Sequence, residues 1–228
     1  MAVTTAVTQA ELARVMAAAY TGKRVVVALV NATTVPAATA SIAAWLQYEL
    51  LPTNGYVRYQ STVLTDGSYS SGNTRWQHDP IPVEFTASGG SFAYTHLIAI
   101  LDGSASGQVG NALTASSAVN VSSDRITVTG HGLSTGTPVT LTADAGGTLP
   151  GGLTAGTLYY ALVVDSNTLS LMTTSTGSTA INLTSTGSGT LRLRNCAGSL
   201  HSVMTETAAV TVAAGQTIAY QFTVAVDD

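Results

Sequence analysis

The segment from Ile126 to Leu193 reads ITVTGHGLSTGTPVTLTADAGGTLPGGLTAGTLYYALVVDSNTLSLMTTSTGSTAINLTSTGSGTLRL, a run of short β-patterned stretches complete in itself. It lies inside a chain whose own pattern stops before it and resumes after it. Upstream, the apolar stretch Tyr94 to Leu101 ends on Asp102-Gly103, a dipeptide suited to a tight hairpin turn. Downstream, Leu200 to Thr205 has the pattern of the strand that should follow such a turn. The sequence therefore predicts a whole module inserted at a loop tip, where extra chain adds little loop-closure cost. The boundaries drawn on this basis are an outer domain of residues 1–117 plus 195–228 and an inserted module of residues 118–194.

Composition narrows the fold class. Charged residues make up 9% of the 228 positions, far below the roughly 25% usual for soluble domains, and Gly, Thr and Ser take their place. A net charge of -4 with a mean hydropathy of +0.30 is the opposite of the low-hydropathy, high-charge signature of disorder. Folded β-structure is the expectation. The eight Lys and Arg are scattered, with only Lys23-Arg24 and Arg192/Arg194 close together, so no basic stripe for nucleic acid is present. Both pairs read as solvent-facing strand positions. No apolar run is long enough to suggest membrane insertion, and MAVTTAVTQAEL lacks the features of a signal peptide, so synthesis in a cytoplasm is expected. The single cysteine, Cys196, excludes an internal disulfide and reads as a small buried apolar residue.

Along the chain, Thr8 and Glu11 match a capping box before a helix carrying Leu12, Val15, Met16 and Ala19, which ends near Gly22. Lys23 to Val30 reads as a buried strand. A second helix is expected over Ala37 to Leu51, with Ile42, Trp45, Leu46 and Tyr48 on its buried side, stopped by Pro52. From Tyr56 the period becomes two. Strands are expected at 56–63, 82–86 and 92–101, with turns at 66–68 and 71–73 and residues 75–78 leading into a break at Pro80 and Pro82, then strands at 209–212 and 217–226. In the last of these Ile218, Tyr220, Phe222, Val224 and Val226 share one face. The outer domain thus reads as a β-sandwich or jelly-roll-like body with two short N-terminal helices. The inserted module, with strands near 126–129, 139–143, 158–164, 169–173 and 191–193, reads as a small antiparallel barrel or sandwich. Residues 103–123 and 195–199 read as polar, Gly/Ser-rich linkers.

Residues able to carry chemistry form no constellation. Gly103 to Gly107 has alanine where a nucleophile elbow needs serine. Gly130-His131-Gly132-Leu133-Ser134-Thr135-Gly136 lacks a phosphate-loop lysine and precedes a strand, so Gly130, Gly132 and Gly136 are read as turn glycines and His131 as a local packing or hydrogen-bonding residue. His78, His96, His131 and His201 show no metal-ligand spacing. His96 and His201 fall on the two strands of the interrupted hairpin, as a pair of sheet histidines or, less simply, a zinc or pH-sensing pair. Most aspartates sit at turns, where they bond their own backbone. Trp45 reads as core. Trp76, flanked by Arg75 and His78, reads as a surface contact able to meet a host glycan. No catalytic residue, metal or cofactor is expected, and the chain is read as a non-enzyme.

The module's motifs carry a resemblance. His131-Gly132-Leu133-Ser134-Thr135-Gly136 with Val139 and Leu141, Leu149-Pro150-Gly151-Gly152-Leu153 through Tyr159-Tyr160, Asp165-Ser166-Asn167-Thr168-Leu169 and the segment Thr184 to Thr190 together resemble a family of tailed-bacteriophage virion proteins. The match covers about a third of the chain. The outer domain, with AELARVMAAAYTGKRVVVALVN at its start and LHSVMTETAAVTVAAGQTIAYQFTV at its end, also resembles small structural proteins of tailed phages such as cyanophages. The resemblance implies a virion component, assembled as a trimer or ring and partnered by major capsid or tail proteins. The expectation is a capsid decoration (cement) protein, with a tail, baseplate or fibre-associated protein as the alternative and a carbohydrate-binding adhesin module as a third reading.

Overall fold

The computed structural model describes residues 9–37, 39–65, 67–70 and 75–227, and its fold is mainly β. In the outer domain, β1 (Val25–Val30), β2 (Tyr59–Gln60), β6 (Phe92–Leu101) and β14 (Ser199–Val212) form an antiparallel sheet in the order β14-β6-β1-β2. Every residue of β1 is buried because both faces of this sheet are covered. Val25, Val27 and Leu29 face Val83, Phe85 and Tyr94 in one core; Val26, Ala28 and Val30 face Trp45, Leu46 and Cys196 in another. The first core is closed by a two-stranded layer of β5 (Ile81–Thr86) and β15 (Thr217–Phe222), giving the sandwich-like body. A small sheet of β3 (Ser68–Ser70), β4 (Arg75–Gln77) and β16 (Ala225–Asp227) packs against α1 (Gln9–Tyr20).

The interrupted hairpin is closed. Leu101 pairs with Ser199 and Ile100 with Leu200, and the pairing continues to Phe92 with Val212. Two glycines make the crossing possible. Gly198 has φ 96°, and a Cβ there would lie 2.5 Å from the Leu101 carbonyl oxygen and 2.7 Å from the Gly103 Cα. Only chains without side chains at this point pass so close together.

Between the two hairpin strands lies a seven-stranded antiparallel sheet in the order β7-β13-β10-β11-β12-β9-β8. Its strands are β7 (Gln108–Thr114), β8 (Val119–Asn120), β9 (Arg125–Thr127), β10 (Pro138–Ala143), β11 (Tyr159–Asp165), β12 (Thr168–Met172) and β13 (Thr190–Asn195). The module has its own core, centred on Leu141, Leu169, Leu191 and Leu193. The sheet rolls up: Gly110, on one edge strand, lies against Val128 and Thr129 just past β9, and the single turn of α3 (Ala115–Ala118) joins edge strands β7 and β8.

Several expectations need correction. Residues 103–123 are not a linker, since they hold β7, α3 and β8, whose small and polar sequence hides the buried positions Val109, Leu113, Ala115 and Ala118. The module's sheet therefore begins before residue 118 and runs through Asn195. The second helix is only α2 (Ile42–Leu46), capped by Ser41, whose Oγ accepts from the Ala44 N–H. Glu49 has left the helix to form a β-bridge with Val30, so tertiary pairing overrides helix propensity. Of the strand expected at 56–63 only Tyr59 and Gln60 pair, because Tyr56 and Arg58 turn inward on Glu49. The last strand is split at Thr223-Val224, leaving β5 for β4 as its partner. Thr8 of the capping box and the turn at 71–73 lie outside the described residues.

Candidate functional site

The most concentrated polar arrangement joins the two domains. Glu49, at the end of the α2 segment, Arg58, just before β2, and Arg194, in β13 of the module, are 4%, 6% and 2% exposed. Arg58 donates through Nε to Glu49 Oε1 and through Nη2 to Oε2, both at 2.7 Å, a bidentate fork. The Tyr56 hydroxyl donates to Oε1 at 3.0 Å. Arg194 reaches across from the module, donating through Nη2 to the Glu49 carbonyl at 2.9 Å and through Nη1 to the Leu50 carbonyl at 3.2 Å and Glu49 Oε2 at 3.4 Å. Arg58 also donates to the carbonyls of Ser104 and Asn195, the two chain segments that cross between the domains. Asn195 N–H in turn donates to Gly107 O at 2.8 Å.

One carboxylate thus faces two guanidinium groups away from water, and four main-chain carbonyls accept further hydrogen bonds from their Nη groups, while the buried Arg194 Nε has no partner among the described residues. Burial, reinforced by the negative charge of Glu49, pushes the Tyr56 phenol well up, so it stays a donor. Burial also pushes the neighbouring Cys196 thiol up to about 12, leaving it an inert packing group. A second ion pair lies beside this cluster: Arg192 forks onto Asp144 with two contacts of 2.8 Å and holds its carboxyl below the usual range. The bonds of Arg58 to Asn195 and of Arg194 to Glu49 and Leu50 tie the module to the outer domain, whereas the Arg192–Asp144 pair lies within the module. The arrangement joins the two domains through ion pairs and main-chain hydrogen bonds.

A third polar cluster pins the irregular part of β14. Between Thr205 and Val210 the register with β6 slips, and there Glu206 accepts from the Tyr220 hydroxyl at 2.6 Å while Tyr220 also bonds Tyr94. Burial keeps both phenols protonated.

In the module, the turn motif makes a set of local hydrogen bonds. Gly130, Gly132 and Gly136 have φ of 62°, 61° and 89°. His131 Nδ1 accepts from the Leu133 N–H at 3.0 Å, which leaves the proton on Nε2 to donate to the Asp165 carbonyl at 2.8 Å. Gly130 N–H donates to Asn167 Oδ1, and Asp165 Oδ1 accepts from the Asn167 N–H. Gly151 similarly exchanges hydrogen bonds with Thr184 and Ser185. The four motif segments therefore bind one another in pairs, the first to the third and the second to the fourth.

The other expected positions separate. His78, expected at the surface beside Arg75 and Trp76, is 4% exposed, and its backbone N–H is tied to the carbonyl of the fully buried Val224. Arg75 is half-buried, and Trp76 pairs with Val226 and Tyr69 through its backbone. His96 lies opposite Thr205 rather than His201; it packs on Trp45, while His201 packs on Tyr20 and Phe222. The bulge at His201 and the opposite faces used by the two rings keep them apart. Lys23 contacts Asp102 in solvent, but Arg194 is buried rather than solvent-facing. Trp45 is core. Among the described residues no group of three His, Cys, Asp or Glu side chains is placed to hold a metal ion, and no helix is long and apolar enough to cross a membrane.

The Glu49 cluster escapes a sequence reading because alternation normally puts charge outside. The available signal is an inversion: Tyr56 and Arg58 share the buried side of a period-two stretch whose Val57 is exposed. Comparison with known protein families, curated proteins and solved structures found no match.

Proposed function

We propose that this chain is a structural component of a phage virion, a capsid decoration protein whose outer domain binds the shell and whose inserted module projects outward. The observation that carries the reading is the closed hairpin. β6 and β14 pair directly at Leu101 and Ser199, with bulges further along, while the chain between them builds a separately cored β-module. A body that binds and a projection that is held out are the two parts a decoration protein needs. The buried Glu49–Arg58–Arg194 joint supports this further, because it makes the projection rigid. The resemblance of the module's four motif segments to phage virion proteins supplies the virion setting.

In this reading the partners are the major capsid protein and further copies of this chain, arranged with closed symmetry as a trimer or ring. The reading assigns the chain no reaction. Its test is the copy number per purified particle of the encoding phage, measured by quantitative mass spectrometry against the major capsid protein. Hundreds of copies are expected. A count of a few times three or six belongs to a tail, baseplate or fibre part, and absence from the particle overturns the virion reading itself.

A further inference from the structure

Apart from the joint between the domains, the outer domain carries a cleft of about 460 Å³ between the segment after β2 and the Asp79–Pro82 segment leading into β5. Its walls are preformed. On one side the chain from Ser61 to Leu64 is hydrogen-bonded to the start of β1 and the residues before it, with Ser61 N–H donating to Val25 O at 2.9 Å and Leu64 N–H to Lys23 O at 2.7 Å. On the other, Pro80 and Pro82 fix the backbone dihedrals. A site that does not need to be ordered on binding loses less affinity to conformational entropy.

The lining has a definite chemistry. Tyr59, half-buried against the outer core, offers an aromatic ring and a hydroxyl. The exposed Thr62 and Thr65 add hydroxyls that both donate and accept, and the exposed Asp79 adds a carboxylate that only accepts. Among the described lining residues Asp79 is the one carboxylate, set beside the buried His78, and there is no lysine or arginine to attract an anion. The hydroxyls disfavour a wholly apolar guest, which would leave them desolvated and unpaired. What fits is a neutral molecule with an apolar C–H face for the ring and several adjacent hydroxyls for the carboxylate and threonines. The volume lies within the ~300–1,000 Å³ range of small-ligand sites.

We propose that this cleft is a binding site for a neutral saccharide, with Tyr59 as the stacking surface and Asp79 as the acceptor that orders adjacent hydroxyls. The site stands independently of the virion reading.

The test is saturation-transfer and chemical-shift NMR on the full chain with maltose, cellobiose and lactose as neutral probes and sialyllactose as the anionic counterpart. The expected result is saturation transfer to at least one neutral disaccharide at millimolar concentration, with shift changes at Tyr59, Thr65 and Asp79. Asp79→Asn, at an exposed position, should weaken that binding at least fivefold while leaving the fold intact, and Thr65→Val should also weaken it. No binding of any neutral probe, preference for sialyllactose, or binding unaltered in both variants overturns the proposal.

Discussion

Glu49→Gln is the sharpest perturbation of the joint between the domains. The substitution keeps shape and volume but removes the carboxylate that contacts both Arg58 and Arg194, and it turns an acceptor oxygen into an N–H₂ group. At least one of the two 2.7 Å contacts from Arg58 then becomes donor against donor. Two guanidinium groups, 6% and 2% exposed, remain buried without a counter-charge. Removing one partner of a buried ion pair costs about 3–5 kcal/mol. At about 2–4 °C per kcal/mol for a chain of this size, the thermal midpoint should fall by about 6–20 °C. Urea unfolding followed by circular dichroism is the assay, with the midpoint lowered and the slope unchanged. Replacing all three residues together (Glu49→Leu, Arg58→Met, Arg194→Met) should recover much of the loss, since apolar groups of similar size need no counter-charge. A cost below about 1 kcal/mol for Glu49→Gln, the size of an exposed pair, would refute the view of this cluster as a desolvated joint.

Three further outcomes follow from the same structure. Gly198→Ala forces a side chain into a positive-φ position 2.5 Å from Leu101 O and should cost about 1–3 kcal/mol in urea unfolding, whereas Gly215→Ala, at similar φ with open space around it, should cost less. Burial holds the imidazoles of His96 and His201 below their usual range, so both are neutral in the fold while the unfolded chain takes up protons near pH 6.5. Stability is then complete above about pH 6.5 and falls as pH drops from there through the folded values; the double variant His96→Gln/His201→Gln should flatten the urea midpoint between pH 6.5 and 5. Replacing residues 102–198 by Asn-Gly should leave an outer domain that unfolds cooperatively, because Leu101 and Ser199 already pair across a hairpin closure; an aggregated or non-cooperative product would show that the outer domain depends on the module.

The sequence made the architecture legible where one pattern dominated. The all-apolar β1, the Ser/Gly-punctuated strands of the module and the alternation of Thr217 to Phe222 each correspond to an observed strand because burial on one or two faces decides them locally. What it hid depended on partners far along the chain. Gln108 to Thr114 looks like a linker because β13 supplies most of its hydrogen bonding and only two of its side chains are large and buried. The helix through Glu49 is cut short by a bridge to Val30 and by arginines nine and 145 residues away. The turn motif around His131 was readable as architecture, but its partner, the Asp165–Asn167 hairpin, is visible only in three dimensions.

The central claim concerns where the protein sits, and imaging intact particles of the encoding phage tests it most directly. Cryo-electron microscopy, with gold-labelled antibody against the module as the marker, should show this chain across the capsid surface with residues 108–195 outermost and the outer domain against the shell. Label confined to the tail, or particles without the protein, would contradict the account.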